Sequence, residues 1–158
     1  MSRFNLREFR ESDLPALLDV WTASWSATYP DIDFDARREW FTGHLAALRA
    51  EGALVHVAEN GGSFAGFITL DPRTQDIDQL AVAVEHFGAG LAARLLDSAR
   101  ELSPQRLRLG VNKANARALR FYEREGFTRT GEGVNATSGR EFWRMEWRGE
   151  EGPRPHER

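Results

Sequence analysis

The residues with the clearest chemical potential lie between Ile77 and Leu96. Gly88-Ala89-Gly90 separates an apolar, β-branched run from a helical run with leucines at 91, 95 and 96. A strand that turns through glycines into a helix leaves the first helical amides without intrahelical partners, at the positive end of the helix dipole. Glycine also lets the backbone approach a pyrophosphate that a β-carbon would obstruct. The segment is therefore expected to hold a cofactor bearing a diphosphate. The alternative from these residues alone is a tight turn that binds nothing. A second concentration is Asn115 to Phe127, Asn-Ala-Arg-Ala-Leu-Arg-Phe-Tyr-Glu-Arg-Glu-Gly-Phe. It reads as an amphipathic helix with Ala118, Phe121 and Tyr122 on the core face and Gly126 as its cap. Tyr122 is the ambiguous member, because a buried hydroxyl must find a partner or water.

Several chemistries are excluded. Gly88 to Ala93 matches the dinucleotide fingerprint G-x-G-x-x-A letter for letter. That fingerprint belongs at the first turn of a βαβ unit, with an acid about 20 residues on. Here it follows the middle of the chain, and Leu109 to Asn112 holds no acid. No Gly-Lys-Ser/Thr follows, so it is not a P-loop. The chain has no cysteine, which removes disulfides, thiolate zinc sites and a thiol nucleophile. The histidines, 44, 56, 86 and 156, lack metal-ligand spacing, and His86 reads as an exposed turn residue. A net charge of −3 without a basic stripe argues against a nucleic-acid partner. No apolar run approaches the ~20 residues of a membrane span, and the start lacks a signal-type apolar stretch, so the cytoplasm is expected.

These groups need a frame. With 158 residues, 41% hydrophobic and 28% charged, the chain suits one globular domain. A first strand is expected over Phe4 to Phe9, then a helix begun at Ser12-Asp13-Leu14-Pro15, with Ser12 as cap. Leu14, Leu17, Leu18, Trp21 and Trp25 form its apolar face, and Ser26 to Asp33 breaks the pattern. A second helix runs from Asp33 or Phe34 to Arg49 or Ala50. Strands follow over Ala53 to Ala58, Phe64 to Leu70 and Asp76 to Val82, the first two joined at Asn60-Gly61-Gly62. After the glycine turn a helix reaches Arg100 or Glu101. A strand over Arg106 to Val111 lies parallel to the strand before that helix. Asn112 is expected to cap the next helix, Ala116 to Glu125. Phe127 to Val134 and Arg140 to Trp147 make a last hairpin. The fold class is α+β, with a mixed, mostly antiparallel sheet over 1–148. The charged, proline-rich tail over 149–158 is expected to be disordered.

Together the two motifs and this element order resemble the GNAT superfamily of acyl-CoA-dependent N-acyltransferases, over nearly the whole chain from Arg7 to the last hairpin. The most specific part is Gln79-Leu80-Ala81-Val82, the turn from Phe87 to Ala92, and Asn115 to Phe127, in that order. The resemblance implies acetyl-CoA as co-substrate. Its pyrophosphate would lie on Phe87, Gly88, Ala89, Gly90, Leu91 and Ala92, which match the family's Gln/Arg-x-x-Gly-x-Gly/Ala loop. Phe87 departs from that pattern by lacking a polar side chain. The pantetheine arm would pair along Leu80, Ala81 and Val82. Asn115 matches a cofactor-contacting asparagine, and Phe121 and Tyr122 match the pair near the thiol.

The implied reaction is direct transfer of an acetyl group to a primary amine of a small molecule or peptide. The resemblance gives Tyr122 the acid role towards the thiolate, and the Leu80 amide would serve the oxyanion. Asp76 and Asp78, on the face of Leu80 by period two, are the candidate bases, each against the reading of a solvated carboxylate. Trp25, Tyr29, Asp31 and Asp33 would face a cationic acceptor, against capping by the aspartates and core packing by Trp25. The rivals are a non-catalytic acyl-CoA-binding module and a dinucleotide oxidoreductase. Whether the chain forms a homodimer stays open.

Overall fold

The computed structural model describes residues 3–136 and 138–149. Most of the tail expected to be disordered, from residue 150 on, lies outside them. Gly149 is held, its N–H donating to the Gln105 carbonyl at 3.0 Å.

Strand β1 (Phe4–Glu8) leads through a 3-10 turn at Glu11–Asp13 into α1 (Leu14–Thr28). The cap differs from expectation. Asp13, not Ser12, organises the junction by accepting from the Arg10 amide at 2.7 Å and from both terminal nitrogens of Arg7 at 2.8 and 2.7 Å. A carboxylate can take this fork and a serine hydroxyl cannot. Helix α1 also continues past Ser26 to Thr28, stopping short of Pro30. A turn at Asp35–Arg37 then opens α2 (Arg38–Ala50). Trp21 of α1 stacks on Phe41 of α2 at 4.3 Å and 4°.

The next strands are β2 (Leu54–Asn60), β3 (Ser63–Asp71) and β4 (Asp76–Val82). The glycine turn delivers α3 (Leu91–Leu102), followed by β5 (Arg106–Asn112), α4 (Ala116–Arg124), β6 (Thr128–Val134) and β7 (Glu141–Arg148). The α+β assignment and the element order agree with expectation. The seven strands lie in the order β1-β2-β3-β4-β5-β7-β6. Helices α1 and α2 cover one face through Leu17, Trp21, Phe41 and Leu45 against Val57, Phe67 and Ala81. Helices α3 and α4 cover the other through Leu91, Leu95, Leu96 and Leu119 against Ile68, Leu107 and Met145. No helix among the described residues is long and apolar enough to cross a membrane.

Two irregularities in the sheet matter for function. Strands β4 and β5 are parallel and register only at Asp76 and Arg108. The join is reinforced by the Arg108 amide on the Gln75 carbonyl at 2.8 Å. From there towards their C-terminal ends the two strands separate. The second irregularity is a bulge in β4. Leu80 pairs with Ile68 and Ile77 with Leu70, so Asp78 and Gln79 together face Thr69. Thr69 Oγ1 accepts both their amides, at 3.2 and 2.9 Å. One extra residue reverses the alternation of side chains. Ile77, Leu80 and Val82 therefore all pack on the α3 side, while Ala81 packs on the α1 side.

Candidate active site

The bulge also sets which amides of β4 are open. The Ala83 amide donates to the Ala65 carbonyl at 2.7 Å. Antiparallel pairs alternate between bonded and non-bonded, so Val82 and Leu80, opposite Gly66 and Ile68, direct their N–H groups away from β3. They point into the gap left by β5. That gap is part of a cleft of about 790 Å³. Its walls include Leu80 to Val82, the glycine turn, Val111 and Asn112 of β5, and Asn115, Arg117, Phe121 and Tyr122 of α4.

At one end lies the glycine turn. Gly88 and Gly90 have φ of +81° and +82°. A β-carbon built at either meets no atom within 4 Å, so glycine is needed here for backbone conformation, not for internal space. Gly90 is the N-cap of α3, and its carbonyl accepts from Arg94. The amides of Leu91, Ala92 and Ala93 precede the first intrahelical bond and have no partner in the helix. The Phe87 and Ala89 amides are spent within the turn, on the Val84 and His86 carbonyls at 3.1 Å each. Both amides therefore have partners inside the turn, unlike those of Leu91, Ala92 and Ala93. The Phe87 side chain packs half-buried against the core, and the Arg117 guanidinium lies 4.8 Å over its ring. His86 is buried, edge-on to Phe4 at 5.1 Å, and not the exposed turn residue expected.

Helix α4 forms the other wall. Its cap is Asn115, whose Oδ1 accepts from the Ala118 amide at 3.2 Å. Asn112, the expected cap, instead donates from Nδ2 to the Tyr29 hydroxyl at 3.1 Å. The Tyr122 ring is held edge-on by Phe121 at 5.1 Å and Phe127 at 5.3 Å. Burial pushes its phenol well above the ordinary tyrosine value. Arg100 ties the end of α4 to α3, donating to the Glu125 carbonyl at 2.6 Å.

The candidate bases are separated by their partners. Asp76 takes a fork from Arg108, with Nε on Oδ1 at 3.0 Å and Nη2 on Oδ2 at 3.3 Å. It is the clasp that joins β4 to β5. Asp78 Oδ2 lies 2.8 Å from His44 Nε2 of α2, and Gln79 Nε2 donates to the same oxygen at 3.0 Å. The bulge separates both carboxylates from the face of Leu80, which corrects the period-two expectation. Asp78 nonetheless lines the cleft, together with a second cavity of about 660 Å³ on the α2 side.

Near the cleft mouth, Trp25 stacks on Tyr29 at 5.9 Å and 7°, and Arg140 lies 5.2 Å over the Tyr29 ring. Asp31 is exposed, and Asp33 accepts from the Ala36 amide at 3.1 Å as a cap. Thr69, Arg117 and His44 were not anticipated. Arg117 shares a helix face with Phe121 at i,i+4 and could have been read from that spacing. Thr69 and His44 meet β4 only across strands and layers, and no local pattern marks them.

A cleft with open strand amides at its centre and open helix amides at one end fits an acyl-CoA: an extended amide arm and an anionic head. This is the architecture of an acyl-CoA-dependent acyltransferase. The chain matches the acetyltransferase (GNAT) family over residues 14–127 and belongs to that family. A relative, the 5-NmdU N-acetyltransferase of Pseudomonas phage PaMx11, is 35% identical over 85 residues, which is 51% of this chain and 61% of that protein. Among solved structures, apo YjaB from Escherichia coli superposes with a TM-score of 0.75 at 24% identity, covering 95% of this chain and 100% of that one. The PaiA N-acetyltransferase of Thermoplasma acidophilum, solved with coenzyme A, gives 0.74 at 21%, covering 94% and 99%. At these identities the likeness is one of fold.

Proposed function

We propose that this chain moves an acetyl group from acetyl-CoA to a primary amine by direct attack, in one ternary complex. The observation that carries the reading is the divergence of β4 from β5 beyond the Asp76–Arg108 clasp, which leaves the Leu80 and Val82 N–H groups facing the cleft. Acetyl-CoA supplies the acetyl group as a thioester. The amides of Gly90, Leu91 and Ala92 hold its diphosphate, and Arg117 adds the positive charge that Phe87 lacks. Val82 pairs with the pantetheine arm alongside Ala81, and Asn115 keeps α4 in register beside it.

The Leu80 N–H stabilises the oxyanion; one preorganised donor of this kind contributes roughly 3 kcal/mol. Asp78 accepts the proton that the attacking amine loses, through a water. Tyr122, protonated at neutral pH, donates to the departing thiolate beside Phe121. With no cysteine in the chain, a thiol acyl-enzyme is not available. Trp25, Tyr29 and Asp31 form the acceptor wall.

The test is acetyl-CoA incubated with a panel of amines, including 5-NmdU, the acceptor in the phage relative's name. Thiol release should track an acetylated product by mass spectrometry. Coenzyme A binding without turnover on any amine would favour the alternative, a non-catalytic acyl-CoA-binding module, which the Phe87 departure keeps in view.

A further inference from the structure

The carboxylate of Asp78 is engaged asymmetrically. Oδ2 takes two side-chain contacts, from His44 Nε2 at 2.8 Å and Gln79 Nε2 at 3.0 Å. Among the described residues, no protein group hydrogen-bonds to Oδ1. His44 is itself held, stacked on Trp40 at 4.9 Å and 10° and tilted against Phe41 at 6.1 Å. The Asp78 backbone is held too, by Thr69 Oγ1. A surface ion pair that merely ties a helix to a sheet has no need of a second donor on the same oxygen. A carboxylate with one oxygen clamped twice and the other bare is an oriented acceptor of a proton.

We propose that His44 is a positioning residue for Asp78: its neutral ring donates from Nε2 to Oδ2 and turns Oδ1 to the cleft. The inference rests on Asp78 serving as the base of the acetyl transfer. In the forward step the amine's proton moves through a water to Oδ1, giving a carboxylic acid. That proton then leaves to solvent, because the side chains of His44 and Asp78 are about a third exposed.

The experiment is the measurement of kcat and KM at pH 8 for the full chain with its best amine, in wild type, His44→Gln and His44→Phe. His44→Phe should lower kcat about tenfold at pH 8 with little change in KM for acetyl-CoA. His44→Gln, which restores a donor, should recover most of that loss. Unchanged kcat in His44→Phe, or a loss in His44→Gln as large as in His44→Phe, would overturn the proposal. A readout independent of activity is the imidazole ¹⁵N spectrum of the wild-type protein at pH 8. The proposal requires His44 protonated at Nε2 and bare at Nδ1, and the opposite tautomer would overturn it even if the variants failed to fold. Absence of acetyl transfer in wild type would instead count against Asp78 as a base and against the proposed function.

Discussion

Tyr122 carries its phenol in a place where ionising it is unfavourable. Burial raises its pKa above the ordinary value, so the group is protonated throughout the neutral range and available as an acid. Removing the hydroxyl while keeping the ring that packs between Phe121 and Phe127 isolates that role. Tyr122→Phe is expected to lower kcat by about a hundredfold, the low end for acid catalysis, with coenzyme A affinity unchanged by calorimetry. Equal turnover would take Tyr122 out of the mechanism. At the other end of the chain, the Arg7 guanidinium holds the Asp13 carboxyl below its ordinary value, against the opposing effect of burial. A carboxyl depressed in the folded state stabilises it at neutral pH, and that contribution fades as pH falls below about 4. Asp13→Asn should therefore cost about 2 kcal/mol in urea unfolding at pH 7 and markedly less at pH 3. An equal cost at both values would mean that the ion pair is not what depresses Asp13.

At the scale of elements, the bulge of β4 controls the site. Thr69 accepts the amides of Asp78 and Gln79 on one hydroxyl, so two residues occupy the space of one and Leu80 turns its N–H towards β5. Valine has the shape of threonine without the acceptor. Thr69→Val should leave two amides unsatisfied at a cost of about 1–3 kcal/mol in stability. It should also lower kcat by more than it raises KM for acetyl-CoA, since the oxyanion donor is the group displaced; equal changes in both would place the bulge outside the chemistry. Gly66 shows how closely the strands approach here, because a β-carbon on it would stand 2.8 Å from the Ala81 carbonyl oxygen.

For the molecule as a whole, what could be read in advance was what local patterns determine. Helical spacing marked α1 to α4, and the glycine turn marked the start of α3. The parallel placement of β5 followed from a crossover helix. What could not be read was set by distant partners. Period two put Asp76, Asp78 and Leu80 on one face, because nothing in residues 76–82 reveals that Thr69 will take two amides. The local pattern favours Asn112 as the cap of α4, yet that side chain is drawn to Tyr29, 83 residues away. His44 and Asp78 are separated by 34 residues and meet only when α2 lies across β4.

The whole arrangement comes down to backbone N–H groups that face the cleft from β4 and from the start of α3. Titration of the ¹⁵N-labelled protein with coenzyme A, followed through its amide resonances, reads those groups directly. The largest shifts are expected at Leu80, Val82, Gly90, Leu91 and Ala92, with Phe87 and Ala89 moving less because their amides are already bonded within the turn. Shifts confined to the α2-side cavity, or none at those five amides under saturating coenzyme, would contradict the site described.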